Sequence, residues 1–122
     1  MNATPSDTHP IKTDGKIATI AASASLSGSI DLVAGTPVKI EMPVAWDAAD
    51  LTFQASSDDV MFNDFYDAAG TEVVVVASAS RTMKIDPADF VGIRFLKVRS
   101  GTSDTPVNQS SERQIKIIST VL

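Results

Sequence analysis

From residue 38 onward, apolar and polar residues alternate in short runs separated by turn residues. In Val38-Lys39-Ile40-Glu41-Met42 the alternation is strict, which predicts a half-buried strand with Val38, Ile40 and Met42 inward. Pro43 ends that run, and Leu51-Thr52-Phe53-Gln54-Ala55 repeats the pattern with Leu51 and Phe53 inward. Residues 61–66 read as a short strand, 73–77 as a β-branched run, and 81–85 as another alternating strand. Asp86-Pro87-Ala88-Asp89-Phe90 predicts one helical turn, because Asp86 can cap it and proline suits the first helical position. Gly92 then releases the chain into 93–99, where the phase changes. Ile93 and Phe95 share one face and Leu96 and Val98 the other, so either a β-bulge near Phe95 and Leu96 or a strand buried on both sides is expected. Residues 100–112 form a long polar loop, and 113–121 supply a last strand with Ile115 and Ile117 inward.

The first third is harder to read. Residues 16–32 are rich in Ala and Ser, but Ile17, Thr19, Ala21, Ser23 and Ser25 share one parity, and serine favours strands and turns over helix interiors. Strands are expected over 17–24 and 29–33, with a turn at 34–37. Residues 1–15 carry Pro5, Pro10 and Gly15 among Thr, Ser and Asp, which predicts a flexible N-terminal arm ahead of a 16–122 domain. The sum is about eight or nine short strands at regular spacing. That predicts an all-β fold: a single antiparallel β-sandwich, jelly-roll-like, with an extended N-terminal arm.

Composition narrows the partners. The 122 residues carry a net charge of −5, which argues against nucleic acid, since phosphate binding needs clustered Lys and Arg. It argues in the same direction about anionic membranes, and no apolar run reaches the length of a membrane span. There is no cysteine, which removes disulfides, thiolate nucleophiles and thiolate-held zinc or iron–sulfur sites. The polar start lacks the apolar segment of a secretory signal.

Candidate chemistry is sparse. The only histidine, His9, sits in the polar arm, without the rigid support a catalytic base needs, and no phosphate-cradling glycine motif occurs. No catalytic residues, cofactor or metal are therefore assigned, and the chain is expected not to be an enzyme. The acidic stretch Asp58, Asp59, Asn63, Asp64 and Asp67 suits Ca²⁺ by its hard oxygen donors, but turn formation explains the same residues. A carboxylate pair for glycoside hydrolysis can be drawn from Asp64, Asp67 and Glu72, but nothing in the sequence fixes their separation. Trp46 and Tyr66 flank turns and form the candidate platform for stacking a glycan; the remaining aromatics read as core. Arg94, Lys97 and Arg99, with Arg81 and Lys84, read as an outward polar face able to dock an acidic neighbour.

Two resemblances add to this. Residues 51–73, LTFQASSDDVMFNDFYDAAGTEV, are similar to the strand-turn-strand of discoidin-like and carbohydrate-binding sandwiches, with Ser57, Asp58 and Phe62 matching loosely and Asp59 in place of the usual glycine. GIRFLKVRSG at 92–101 resembles a late strand of that fold. Residues 85–117, IDPADFVGIRFLKVRSGTSDTPVNQSSERQIKI, with PVAWDAADLTFQASSD before them, resemble small virion-associated proteins of tailed phages and prophages. That second resemblance covers about residue 30 to 122. It implies a capsid decoration or cement protein, made in the host cytoplasm and placed on the capsid surface of the virion. It further implies a homo-oligomer, with a trimer favoured, that contacts the major capsid protein or other virion proteins. A tail, baseplate or neck component, or a carbohydrate-binding module on the virion surface, are the alternatives. On the capsid reading, the contact residues are Thr8, Ile11, Lys12 and Lys16 from the arm and its root, Arg94 and Lys97, and Asn108 and Arg113 around the long loop.

Overall fold

A computed structural model of the chain describes residues 13–33 and 35–121. Eight strands occur in order: β1 (Thr13–Ile20), β2 (Ile30–Asp31), β3 (Thr36–Glu41), β4 (Leu51–Ser56), β5 (Asn63–Asp64), β6 (Thr82–Lys84), β7 (Phe95–Ser100) and β8 (Arg113–Thr120). They form two four-stranded antiparallel sheets, β1-β8-β3-β6 and β2-β7-β4-β5. The expected all-β sandwich is therefore the architecture. Its pairings nest: β4 with β5, β3 with β6, β2 with β7, β1 with β8. The chain behaves like one long hairpin rolled so that successive rungs fall in opposite sheets.

Alternation fills the space between the sheets. Ile40, Leu51, Phe53, Leu96, Val98, Ile115 and Ile117 are all fully buried, with Ala18 and Ile20 from β1. Burying each of the larger side chains contributes about 1.5–3 kcal/mol relative to exposure. The expected cap is present: the Asp86 side chain accepts from the Ala88 N–H, and a 3₁₀ turn spans Pro87–Asp89. The turn drives Phe90 into the core, where it meets Phe53 edge-on at 5.2 Å and Phe65 at 5.5 Å.

Several details differ from the sequence reading. β1 starts at Thr13, inside the stretch read as arm, and ends at Ile20 rather than residue 24, because the chain turns at Ala21 to Ala24. Residues 1–12 lie outside the described residues. Val38 is only half-buried: it is the extra residue of a register shift between Pro37 and Lys39 against β8. The bulge expected near Phe95 and Leu96 is absent. β7 pairs without a break from Phe95 to Ser100, and Ile93, which caused the phase conflict, precedes the strand and packs from its connection. The 61–66 segment forms a strand only at Asn63–Asp64, continued by a Phe65 N–H bond to the Phe53 carbonyl and a Tyr66–Glu72 bridge, and Met61 stays exposed. The 73–77 run is no continuous strand. It touches β4 through a single Leu51–Val75 bridge, with Val73 and Ala77 buried and Val74 and Val76 exposed.

The end of β7 turns on Gly101, at φ +90°, whose N–H donates to the Asp50 carbonyl and whose carbonyl accepts from Thr52 Oγ1. A Cβ there would stand 2.5 Å from the Thr105 oxygen, whereas one on Gly70, at φ +81°, would meet nothing within 4 Å. Gly70→Ala is expected to cost about 1 kcal/mol, the left-handed penalty alone. Gly101→Ala adds a backbone clash and is expected to cost at least about 2–3 kcal/mol. Urea unfolding midpoints check this; equal losses at the two positions contradict it.

Candidate functional site

The outer face of the second sheet carries the densest charge. Because Leu51, Phe53, Leu96 and Val98 point inward, Thr52, Gln54, Lys97 and Arg99 point outward. Yet the Arg99 side chain is only 8% exposed, because β5 and the segment after it lie over the sheet. Its guanidinium donates to Asp64 Oδ1 at 2.5 Å and, more weakly, to Glu72 Oε2 at 3.5 Å and Thr52 Oγ1 at 3.4 Å. Gln54 Nε2 also donates to Asp64, and Glu72 accepts from the Ser103 N–H. The Arg99 hydrogen bond, helped by Gln54, holds the Asp64 carboxyl below its ordinary value. This corrects two expectations. Arg99 belongs to no free basic face, and Asp64 and Glu72 converge on a cation rather than on a cleft for a sugar.

A second polar cluster ties loops together at one end of the sandwich. Gln109, from the long loop, is fully buried. Its Nε2 donates to the Asp47 carbonyl and to Ser100 Oγ, while its Oε1 accepts from the Asp47 N–H and from Arg113 Nε. Its backbone bonds Ala24 and Ser23, so three connections meet on one residue. Asp47 in turn accepts from the Ser110 N–H at 2.7 Å, from Ser110 Oγ and from Arg113 Nη2 at 3.1 Å. The Ser110 bonds, with Arg113 behind them, lower the Asp47 carboxyl below its ordinary range. Arg113 is thus enclosed, with 10% of its side chain exposed, and is not the outward contact the sequence suggested. Nothing in a polar residue of a polar loop signalled Gln109.

The other expected contact residues are spread out. Lys16 is half-buried and pairs with Asp14 at 3.4 Å. Arg94 is exposed, forks onto Asp31 at 2.6 and 3.0 Å, and lies over the Phe95 ring. Lys97 sits 4.4 Å above the Phe62 ring. Asn108 is exposed beside Gln109, and Thr8, Ile11, Lys12 and His9 lie outside the described residues. Of the proposed glycan platform, Tyr66 is 48% exposed. Trp46 packs against the core, with its Nε1 donating to the Ala49 carbonyl.

The acidic stretch is occupied by its own backbone. Asp58 accepts from the Val60 and Met61 N–H groups and from Ser56 Oγ, which lowers its carboxyl. Asp67 accepts from Ala69 and Thr71, and Asp59 takes the Ser29 hydroxyl. Among the described residues no three His, Cys, Asp or Glu side chains converge to hold a metal. A shallow cavity of 290 Å³ beside this turn is lined by Ser56, Asp58, Met61, Asn63 and Ile93. No helix of the described residues is long and apolar enough to cross a membrane. No family model, curated protein or solved structure matches the chain.

Two predictions follow the charges. Gln109→Leu keeps the volume but leaves buried partners unpaired, so it is expected to cost about 2–3 kcal/mol in a urea titration; a loss under about 0.5 kcal/mol refutes the loop-tying role. Asp31 is the clearest acid-sensitive group, lowered from 3.8 to about 2, first by the Arg94 hydrogen bond and then by the Val33 N–H. A carboxyl lowered on folding contributes stability that is complete above the unfolded value and lost as pH falls through the folded one. Acid unfolding is therefore expected to steepen between pH about 4 and about 2. Arg94→Ala should reduce the slope in that window, and an unchanged slope contradicts the assignment.

Proposed function

We propose that the protein is a non-enzymatic structural protein of a phage virion, most consistent with a decoration or cement role on the capsid surface. The observation that carries the reading is the strand order. The nested pairing, with β1-β8-β3-β6 in one sheet and β2-β7-β4-β5 in the other, supports reading the sandwich as jelly-roll-like. That architecture serves viral capsid and lectin domains. The resemblance of residues 85–117 to virion-associated proteins points the same way.

The side-chain chemistry supports binding over turnover. The densest polar clusters, around Arg99 and around Gln109, hold loops in place. What faces outward is a set of contact groups: Arg94 on Asp31, Lys97 on Phe62, and Asn108 beside the long loop. On this reading the partners are the major capsid protein or another virion protein and further copies of the chain. Repetition over a shell multiplies a weak contact through effective concentration. The trimer implied by the resemblance is one closed assembly compatible with this role. A tail or neck position uses the same surfaces, and imaging of the particle separates the two.

The experiment is reconstitution on capsids lacking the protein. A chain starting at Thr13 is expected to keep its unfolding free energy within about 0.5 kcal/mol. Its capsid occupancy at limiting concentration is expected to fall at least about tenfold, the equivalent of 1.4 kcal/mol. Full occupancy by the shortened chain overturns the role given to Thr8, Ile11 and Lys12. Failure of the full chain to bind any particle overturns the virion reading.

A further inference from the structure

We infer that β1 is a self-pairing edge, through which two copies join across a two-fold axis into one continuous eight-stranded sheet. The inference stands on the edge itself and does not depend on a virion.

The other sheet ends are short: β2 and β5 have two residues each and β6 has three. Short edge strands discourage pairing. β1 is different, with eight residues in unbroken register against β8. Its free side can be identified. The Thr19 carbonyl accepts from the Gly28 N–H at 3.3 Å, so Thr19 turns its backbone groups away from β8. By the antiparallel alternation, Thr13, Gly15 and Ile17 do the same. Among the described residues, no backbone group bonds those of Gly15 or Ile17 on that side. Gly28 blocks the edge at Thr19, leaving the stretch from Thr13 to Ile17 open.

Charge selects one partner and one register. The side chains of this stretch are Thr13, Asp14, Gly15, Lys16 and Ile17. A second copy laid antiparallel with Gly15 opposite Gly15 brings Thr13 opposite Ile17 on both sides, and all these residues present outward backbone groups. The same register sets Asp14 opposite Lys16, twice. These are the non-hydrogen-bonded positions, where facing side chains come closest. Asp14 and Lys16 already pair within one chain at 3.4 Å, so the axis would be surrounded by four alternating charges. Shifting the copies by one pair in either direction sets Lys16 against Lys16 or Asp14 against Asp14. Ile17, 46% exposed, becomes covered by the neighbour's Thr13. The strand carries its own complement only when read backwards, which is the condition a two-fold interface imposes.

The test uses sedimentation velocity of the full chain from about 1 to 100 µM, spanning weak to moderate affinity. A monomer–dimer equilibrium is expected. Asp14→Lys and Lys16→Asp each turn two attractive pairs into repulsive ones and should weaken it about tenfold. The double exchange Asp14→Lys with Lys16→Asp should restore it. Because the chain has no cysteine, introduced thiols report the register directly. Gly15→Cys places two Cα atoms about 5.5 Å apart, within disulfide reach, so oxidation should yield a covalent dimer. Its Cβ would approach only side-chain atoms, the flexible end of Lys116 at 3.0 Å and the tip of Ile118 at 3.4 Å. Ile17→Cys puts the thiols about 13 Å apart along the strand and should not cross-link. A chain that stays monomeric, or forms a trimer, overturns the inference. So do charge exchanges without effect, a double exchange that fails to restore the dimer, and cross-linking of Ile17→Cys as readily as Gly15→Cys.

Discussion

Two layers of alternating side chains exclude water only when both sheets are complete, and each sheet is completed by a strand from far along the chain. β8 lies between β1 and β3, joining Ile117 to Lys16 on one side and to Ile40 on the other. β7 does the same between β2 and β4, setting Leu96 beside Ile30 and Ala55. The fully buried residues come mainly from these central strands and their neighbours. Removing one inward position of β7 or β8 therefore opens a void against several elements at once, the situation in which truncation costs most. The polar clusters depend on the same closure, since Arg99 meets Asp64 and Glu72 only because β7 is seated against β4.

The enclosed charges raise a separate question of cost. Arg99 and Arg113 lose most of their hydration, and each regains it from carboxylates supplied by other connections. A buried ion pair recovers its desolvation only with good geometry and further hydrogen bonds. Both sites meet that condition through Gln54 and Thr52 in one case and Gln109 and Ser110 in the other. Their main effect is to fix where loops run. Breaking one member leaves the rest stranded, so these clusters resist drift more than they add net stability.

Where alternation was strict, the sequence was legible. β3, β4, β6 and β8 fall at or near the alternating runs, and the Asp86–Pro87 pair marked the 3₁₀ turn. The misreadings share a physical origin. Val38 alternates with Ile40 and Met42 in sequence, but the register shift at Pro37 takes it out of step. The valines at 73–76 have the residue preference of a strand yet build no ladder: Val73 bonds back to Phe65 and Val75 bridges Leu51, while β5 and Phe65 already occupy the side of β4 away from β7 along Phe53 to Ala55. Within the basic face read from the sequence, local pattern distinguished nothing between Lys97, half-buried beside an aromatic ring, and Arg99, enclosed two positions later. The difference comes from β5 and Glu72, which reach Arg99 through the fold. Gln109 and its ties to Asp47, 62 residues away, are of the same kind.

The position of β8 also sets an order in time. It follows every other described strand in the chain and is a central strand of its sheet. Until Arg113–Thr120 have emerged during synthesis, β1 has no ladder at all and β3 has only the three-residue β6. The domain is thus barred from folding piece by piece as it is made. Its nascent form holds β1 without a partner strand and β3 with one edge open, for as long as translation takes to reach Thr120.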